Sequence, residues 1–359
     1  MVCAGSPDVK WVHEIDLPTK VITGSGALAK LPELLGSFGY RVLALLTGPT
    51  VGSTIGKRVV NTLSSYDFEV NTCTVGASDA RTVNEVIAFV REVGAQLVVA
   101  VGGGRVIDVA KYAAYQSGLR FVSVPTAVSH DGIASPAVSL KDVNGYPISK
   151  FTKPPLAVVA DIDVIAQAPH RLLASGFGDI VGKFTSVRDA ILAKKIKGEY
   201  VGDYSLALAK MSAAMVAEHA EAIAKHEPEG VSVLVEAAIS CGVAMAIAGS
   251  SRPCSGSEHN FSHALDLVYP DKKSLHGEQV GVGTIMMAYL HGLNWRRVQR
   301  LLQIVGAPTN CEELGVPPEA IIKALVTAHR VRDRYTILGE SGLSESAAWR
   351  LARITQVIL

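Results

Sequence analysis

Residues 96–118, QLVVAVGGGRVIDVAKYAAYQSG, run from an unbroken apolar stretch through three glycines into a helical pattern. The same succession recurs along the first 160 residues. RVLALLT (41–47), FEVNTCTV (68–75), QLVVAVGGG (96–104), RFVSVPTAV (120–128) and LAVVADIDVI (156–165) read as strands. STIGKRVVNTL (53–63), TVNEVIAFVREVG (82–94) and RVIDVAKYAAYQSG (105–118) read as helices between them. Strands that are apolar at nearly every position must be buried on both faces, which argues for a parallel sheet covered by helices on each side. AVSLKDVNGYPIS (137–149) differs, because Asn144-Gly145 between alternating runs predicts a hairpin beside that sheet. Beyond about residue 166 the strands cease. GDYSLALAKMSAAMVAEHAEAIAKH (202–226) and GVSVLVEAAISCGVAMAIAG (230–249) have helical spacing. The expectation is an α/β domain over 1–165, an all-α domain over 166–359, and a ligand cleft between them.

Composition narrows the partners. Apolar residues make up 48% and charged residues 19%, and the formal net charge is +1. No basic run is dense enough for a nucleic-acid footprint, so small molecules or further copies of this chain are expected. The five cysteines stand singly with no CxxC, which predicts reduced thiols in a cytoplasm. MVCAGSPDVKW at the start lacks a basic region followed by an apolar run, so no secretory leader is expected there. AAISCGVAMAIAG (237–249) falls short of the roughly 18–20 residues of a membrane span and reads as a core helix.

The glycines after the third strand carry the first chemical signal. They let backbone N–H groups approach a phosphate, and the helix N-terminus adds positive potential. The expected occupant is the diphosphate of a dinucleotide, although Gly102-Gly103-Gly104 is neither GxGxxG nor a Walker loop. VPTAVSHDG (124–132) ends a neighbouring strand with Thr126, Ser129, His130 and Asp131, and strand ends of this kind face one cleft. The first of these strands ends in Thr47-Gly48-Pro49, with no carboxylate to repel a 2′-phosphate, so NADP should be tolerated beside NAD.

Histidines carry the second. His259 and His263 stand four apart in SGSEHNFSHALD (255–266), and His276 follows in SLHGEQVGVG. A cation held by imidazoles usually takes a carboxylate too, with one position open. Asp179, in ASGFGDIVGKF near the start of a helix, is the candidate. The ordinary alternatives are a solvated helix face for the histidine pair and a capping role for Asp179. Spacing alone leaves open whether His259 acts with His263 or with His276. His13, His170, His219, His226, His291 and His329 are assigned no role.

Taken together, GGGRVID, PTAVSHDGIASP, SGFGDIVGK, SGSEHNFSHALD and LHGEQVGVG resemble the archaeal sn-glycerol-1-phosphate dehydrogenases, in order and over nearly the whole chain. That family belongs with glycerol dehydrogenases, iron-containing alcohol dehydrogenases and dehydroquinate synthases. The resemblance implies a Rossmann-like N-terminal domain, a helical C-terminal domain and one Zn2+ per subunit held by Asp179, His259 and His276. It implies NAD or NADP contacts at Gly103, Gly104, Arg105, Val106 and Ile107, at Thr126, Ala127, Val128 and Ser129, and at Ser135. It assigns substrate contact and catalysis to Asp131, Asp179 and His263. The implied reaction reduces dihydroxyacetone phosphate to sn-glycerol 1-phosphate for ether-lipid synthesis, with a proton delivered through His263 or Asp131. A cytoplasmic homo-oligomer, dimer or octamer, is expected. Arg252 and Lys153 are the cations considered for the substrate phosphate. The alternatives are a polyol dehydrogenase acting on glycerol and a lyase of the dehydroquinate synthase type.

Overall fold

The computed structural model describes residues 13–142, 145 and 147–359. Six strands form one parallel sheet: β1 (Lys20–Gly24), β2 (Val42–Thr47), β3 (Glu69–Thr74), β4 (Leu97–Gly102), β5 (Arg120–Pro125) and β8 (Ala157–Asp161), in the order β1-β8-β5-β4-β2-β3. Period-two alternation sorts their side chains into two cores. Leu43, Leu45, Leu97, Val99, Val101, Ala157 and Val159 face one layer, which includes Leu31, Leu35 and Leu63. Ala44, Leu46, Val98, Ala100, Val158 and Ala160 face the other, which continues without a break into the helical half. Fully burying a Val or Leu side chain contributes about 1.5–3 kcal/mol, so the double-sided burial accounts for the unbroken apolar runs.

Two strand readings change. β1 is an edge strand with exposed Lys20, Val21 and Thr23 and no apolar run to announce it. The run at 156–165 stops being strand at Asp161, whose carboxylate accepts from the N–H groups of Asp163 and Val164 at 3.1 and 3.4 Å and so caps the helix Ile162–Ala166. β6 (Ala137–Lys141) and β7 (Pro147–Phe151) pair antiparallel as a separate hairpin. Asn144, on which that hairpin was expected to turn, lies outside the described residues, as does the stretch MVCAGSPDVKW up to Lys10 and Trp11.

From Ile162 onward every described element is helical. The apolar stretch expected to be short belongs to the 21-residue helix Pro228–Ala248, which is long and apolar enough by composition to cross a membrane. Here it packs against the helix Asp203–Glu218 and the Asp131–Ile133 turn. Glycine permits that approach: a Cβ on Gly242 would lie 2.6 Å from the Ala134 carbonyl carbon.

Candidate active site

Because the sheet is parallel, Thr47, Gly102, Pro125 and Asp161 end β2, β4, β5 and β8 on one edge. A cavity of about 970 Å³ opens there and continues toward the helical half. None of Gly102, Gly103 or Gly104 has a positive φ, so the triple glycine is not required by the turn itself. Space explains it better. A Cβ on Gly104 would strike His130 Nε2 at 1.9 Å, whereas one on Gly103 would meet nothing within 4 Å. Gly103 precedes the helix Gly104–Gln116 as its N-cap and lines the cavity, which places a helix N-terminus beside open space. Gly104, Arg105, Val106, Ala127, Ser129 and Ser135 line the same cavity. Ile107, Thr126 and Val128 are buried and do not line it.

The metal candidates come from three helices. Asp179 lies in the last turn of His170–Val181, ahead of the next helix Lys183–Lys197, and so caps neither N-terminus. His259 and His263 share the helix Ser257–Val268, and His276 begins the helix His276–Leu290. Glycines let these helices close. A Cβ on Gly277 would lie 1.9 Å from the Ser175 carbonyl oxygen, and one on Gly178 would lie 2.4 Å from the Gly277 carbonyl oxygen. The result is a cluster in which one ligand atom each from Asp179, His259 and His276 lies within 4.8 Å of the others. Asp179 Oδ1 is 3.2 Å from His259 Nε2. His263 stands aside from the carboxylate, its ring centre 5.7 Å from that of His276. Both His259 and His263 are buried, which removes the solvated-face reading.

Each imidazole of the cluster is held from behind. His259 Nδ1 meets Glu258 Oε1 at 2.8 Å, and Glu258 also accepts from Thr185 Oγ1 at 2.7 Å and Gly256 N at 2.6 Å. His276 Nδ1 meets Ser262 Oγ at 3.0 Å. Occupied Nδ1 atoms leave the Nε2 atoms for a cation, the usual arrangement of a buried imidazole ligand. Lys183, fully buried, donates to Asp179 Oδ1 at 3.0 Å and to Asp131 Oδ2 at 2.9 Å. The Asp131 N–H donates to Asp179 Oδ2 at 2.8 Å. The donor set of two nitrogens and one carboxylate suits a divalent transition metal.

Electrostatics follow from this packing. Burial works to raise the Asp179 carboxyl, but Lys183 and then His259 and His276 outweigh it and hold it well below the usual carboxylate range. Burial pulls His259 down, and its bonds to Asp179 and Glu258 reverse that and raise it. Burial, assisted by His259, keeps His276 well below its ordinary value. Burial and the Arg332 guanidinium do the same to His263. Both effects favour the neutral form of the His263 ring.

Neither cation considered for the phosphate suits that task. Arg252 is committed to Glu199, with Nε 2.6 Å from Oε2 and Nη2 2.5 Å from Oε1. Lys153 is more than half exposed, pairs loosely with Asp16 at 3.9 Å and does not line the cavity. Lys183, Glu258, Arg332 and Arg334 were missed in the sequence. Only Glu258 carried a signal, as the neighbour of His259.

Known proteins agree with this architecture. The profile described as iron-containing alcohol dehydrogenase matches residues 22–169. A protein of Staphylothermus marinus named glycerol-1-phosphate dehydrogenase, NAD(P)+, is 49% identical over 353 residues, covering 97% of this chain and 99% of its own. One of the same name from Thermofilum pendens is 50% identical over 342 residues, covering 95% and 98%. Among solved structures, glycerol dehydrogenase from Schizosaccharomyces pombe superposes with a TM-score of 0.80 at 20% identity, covering 96% of this chain and 90% of that one. Sulfoacetaldehyde reductase from Bifidobacterium kashiwanohense, solved with NAD+, superposes with a TM-score of 0.72 at 16% identity, covering 96% and 99%. Identity near one half along almost the full length, over a fold and site of this kind, decides the matter: the chain belongs to the glycerol-1-phosphate dehydrogenase family.

Proposed function

We propose that this chain reduces dihydroxyacetone phosphate to sn-glycerol 1-phosphate with NADH or NADPH, assisted by a Zn2+ ion held by Asp179, His259 and His276. The observation that carries this reading is that His259 and His276, which form a cluster with the buried Asp179, line the same cavity as the open glycine turn at Gly103. When bound, the cation supplies a Lewis acid for a carbonyl oxygen, and the reduced nicotinamide supplies the hydride.

The chain's own groups do the rest. Glu258 and Ser262 fix the two imidazole rings. Lys183 bridges Asp131 and Asp179 and helps hold the Asp179 carboxyl well below the usual carboxylate range. A guanidinium can only donate, so the 2.5 Å contact from Arg332 Nη2 makes His263 Nε2 an acceptor and leaves the ring proton on Nδ1. That Nδ1–H can donate a hydrogen bond to a developing alkoxide, and the proton that neutralises it would come from water entering the cavity. Asp131, lining the cavity, is the second substrate contact.

Domains of 1–165 and 166–359 belong to this reading, supported by the end of β8 at Asp161 and the helices beyond it. Cytoplasmic residence is supported by the free thiols of Cys73, Cys241, Cys254 and Cys311. A homo-oligomer, dimer or octamer, is supported by the exposed stripe Tyr204, Met211 and Met215 on the helix Asp203–Glu218. The test is product stereochemistry with elemental analysis of the purified protein. Dihydroxyacetone phosphate and NAD(P)H should yield sn-glycerol 1-phosphate with about one zinc per chain. The opposite enantiomer, a preference for unphosphorylated substrate, or no net NAD(P)H consumption would defeat the reading.

A further inference from the structure

Two arginines packed in the helical half, Arg171 and Arg252, have acidic partners. Arg171 Nε lies 2.5 Å from Glu278 Oε1, and Arg252 is paired with Glu199. Arg332 and Arg334 are different. Arg332 donates to Ser255 Oγ at 2.8 Å, Ser149 Oγ at 2.7 Å and His263 Nε2 at 2.5 Å. Arg334 donates to the Ser255 carbonyl oxygen and to Ser251 Oγ at 2.9 Å. Every one of these acceptors is neutral. Among the described residues no carboxylate lies within 4.0 Å of either guanidinium nitrogen set. Both side chains are half-buried and line the cavity that holds the metal cluster.

Two neighbouring guanidinium groups out of bulk water, without a counter-ion, are unfavourable unless an anion joins them. The strain shows in their proton affinity: burial pushes Arg332 down to about 10, and burial with Arg332 and Arg252 pushes Arg334 down to about 9. Three serine hydroxyls, Ser149, Ser251 and Ser255, stand among them and can each turn to donate. Planar guanidinium forks with hydroxyls are the donor set that suits a phosphate.

We propose that Arg332 and Arg334, with Ser149, Ser251 and Ser255, form the socket for the phosphate group of the substrate and set the preference for a phosphorylated ketone. The proposal rests on the reaction proposed above. Its geometry fits that reaction. Arg332 touches His263, and His263 lies beside His276, so the socket is one side chain removed from the metal cluster. In a phosphorylated hydroxyketone the reacting carbonyl carbon and the phosphorus are only three bonds apart. The socket is also distinct from the Gly103 turn, where the helix N-terminus offers its own donors to a dinucleotide.

The test compares the metal-loaded enzyme with Arg332→Met, Arg334→Met and Arg334→Lys. Each is assayed with dihydroxyacetone phosphate and with dihydroxyacetone at saturating NAD(P)H, and inorganic phosphate is titrated as an inhibitor. Losing a charge-assisted contact should raise KM for the phosphorylated substrate by roughly ten- to hundredfold. The kcat/KM ratio between the two substrates should fall with it, phosphate inhibition should weaken, and KM for NAD(P)H should hold. Arg334→Lys should recover part of the ratio. A structural role would lower both substrates alike and leave the ratio intact, which overturns the socket. A rise confined to KM for NAD(P)H overturns it too, and assigns the arginines to the dinucleotide. If a variant is inactive, calorimetric titration with inorganic phosphate decides: retained binding overturns the proposal, and loss in a variant with native circular dichroism upholds it. A wild-type enzyme that reduces no phosphorylated ketone defeats the reaction itself. A wild-type enzyme that does so, with variants that still discriminate, defeats only the socket.

Discussion

Glu258 Oε1 lies 2.8 Å from Nδ1 of its chain neighbour His259, so the carboxylate next in the chain orients the imidazole proposed as a metal ligand. Glu258 is fully buried and accepts from two further donors, Thr185 Oγ1 and Gly256 N. Outer partners of this kind are worth about 10–100-fold in metal affinity. Glu258→Gln should therefore lose metal to a competing chelator at a concentration that leaves the wild type loaded. Equal retention would show that the carboxylate does not orient the ring.

The proposed reaction gives His259 and His263, one helical turn apart, two separate roles. His259→Ala should abolish metal retention and turnover together. His263→Ala should keep the metal, measured by elemental analysis after dialysis, and lower turnover. An equal fall in metal content for both would merge the roles.

Lys183 is the only cation bonded to both Asp131 and Asp179 among the described residues. Lys183→Met would leave buried carboxylates without their partner, a loss of about 3–5 kcal/mol in the metal-free protein by denaturant unfolding. Added zinc should shrink that loss, because a cation at Asp179 compensates the same charge. A variant as stable as the wild type without metal would contradict the pairing.

Gly277 has no room for a side chain, since a Cβ there would sit 1.9 Å from the Ser175 carbonyl oxygen. Gly277→Ala must part the helices His170–Val181 and His276–Leu290. Overpacking of this kind costs about 1–3 kcal/mol. Metal affinity should fall as well, because Asp179 and His276 ride on the two helices that separate. A lowered melting temperature with unchanged metal affinity would mean that the cluster tolerates the shift.

Burial pushes the Cys254 thiol well up, with a further rise from Cys241. A group raised on folding contributes stability that is complete below its unfolded value of about 8.5 and is lost as pH rises toward the folded value. Stability should decline above that pH less steeply in Cys254→Ala than in the wild type. Iodoacetamide at pH 8 should leave Cys254 unmodified in the native chain and label it in denaturant. Labelling at equal rates in both would place the thiol in solvent.

Several things were legible in the chain alone. The runs at 41–47 and 96–104 declared a double-covered parallel sheet because local apolarity reports burial on both faces. The edge strand Lys20–Gly24 was silent for the same reason, being half in water. The spacing of His259 and His263 put both rings on one helix face, and the fold buries that helix. It could not say which one faces Asp179. That choice is made by how three helices cross, and their crossing is set by Gly178 and Gly277, which let backbones touch. The free arginines were hidden likewise: Arg252 and Arg332 look alike in sequence, and only the fold gives Glu199 to one and leaves the other without a carboxylate. Local pattern determines what each segment becomes, because propensity and burial act over a few residues. Partners distant along the chain are decided by packing, which no short stretch contains.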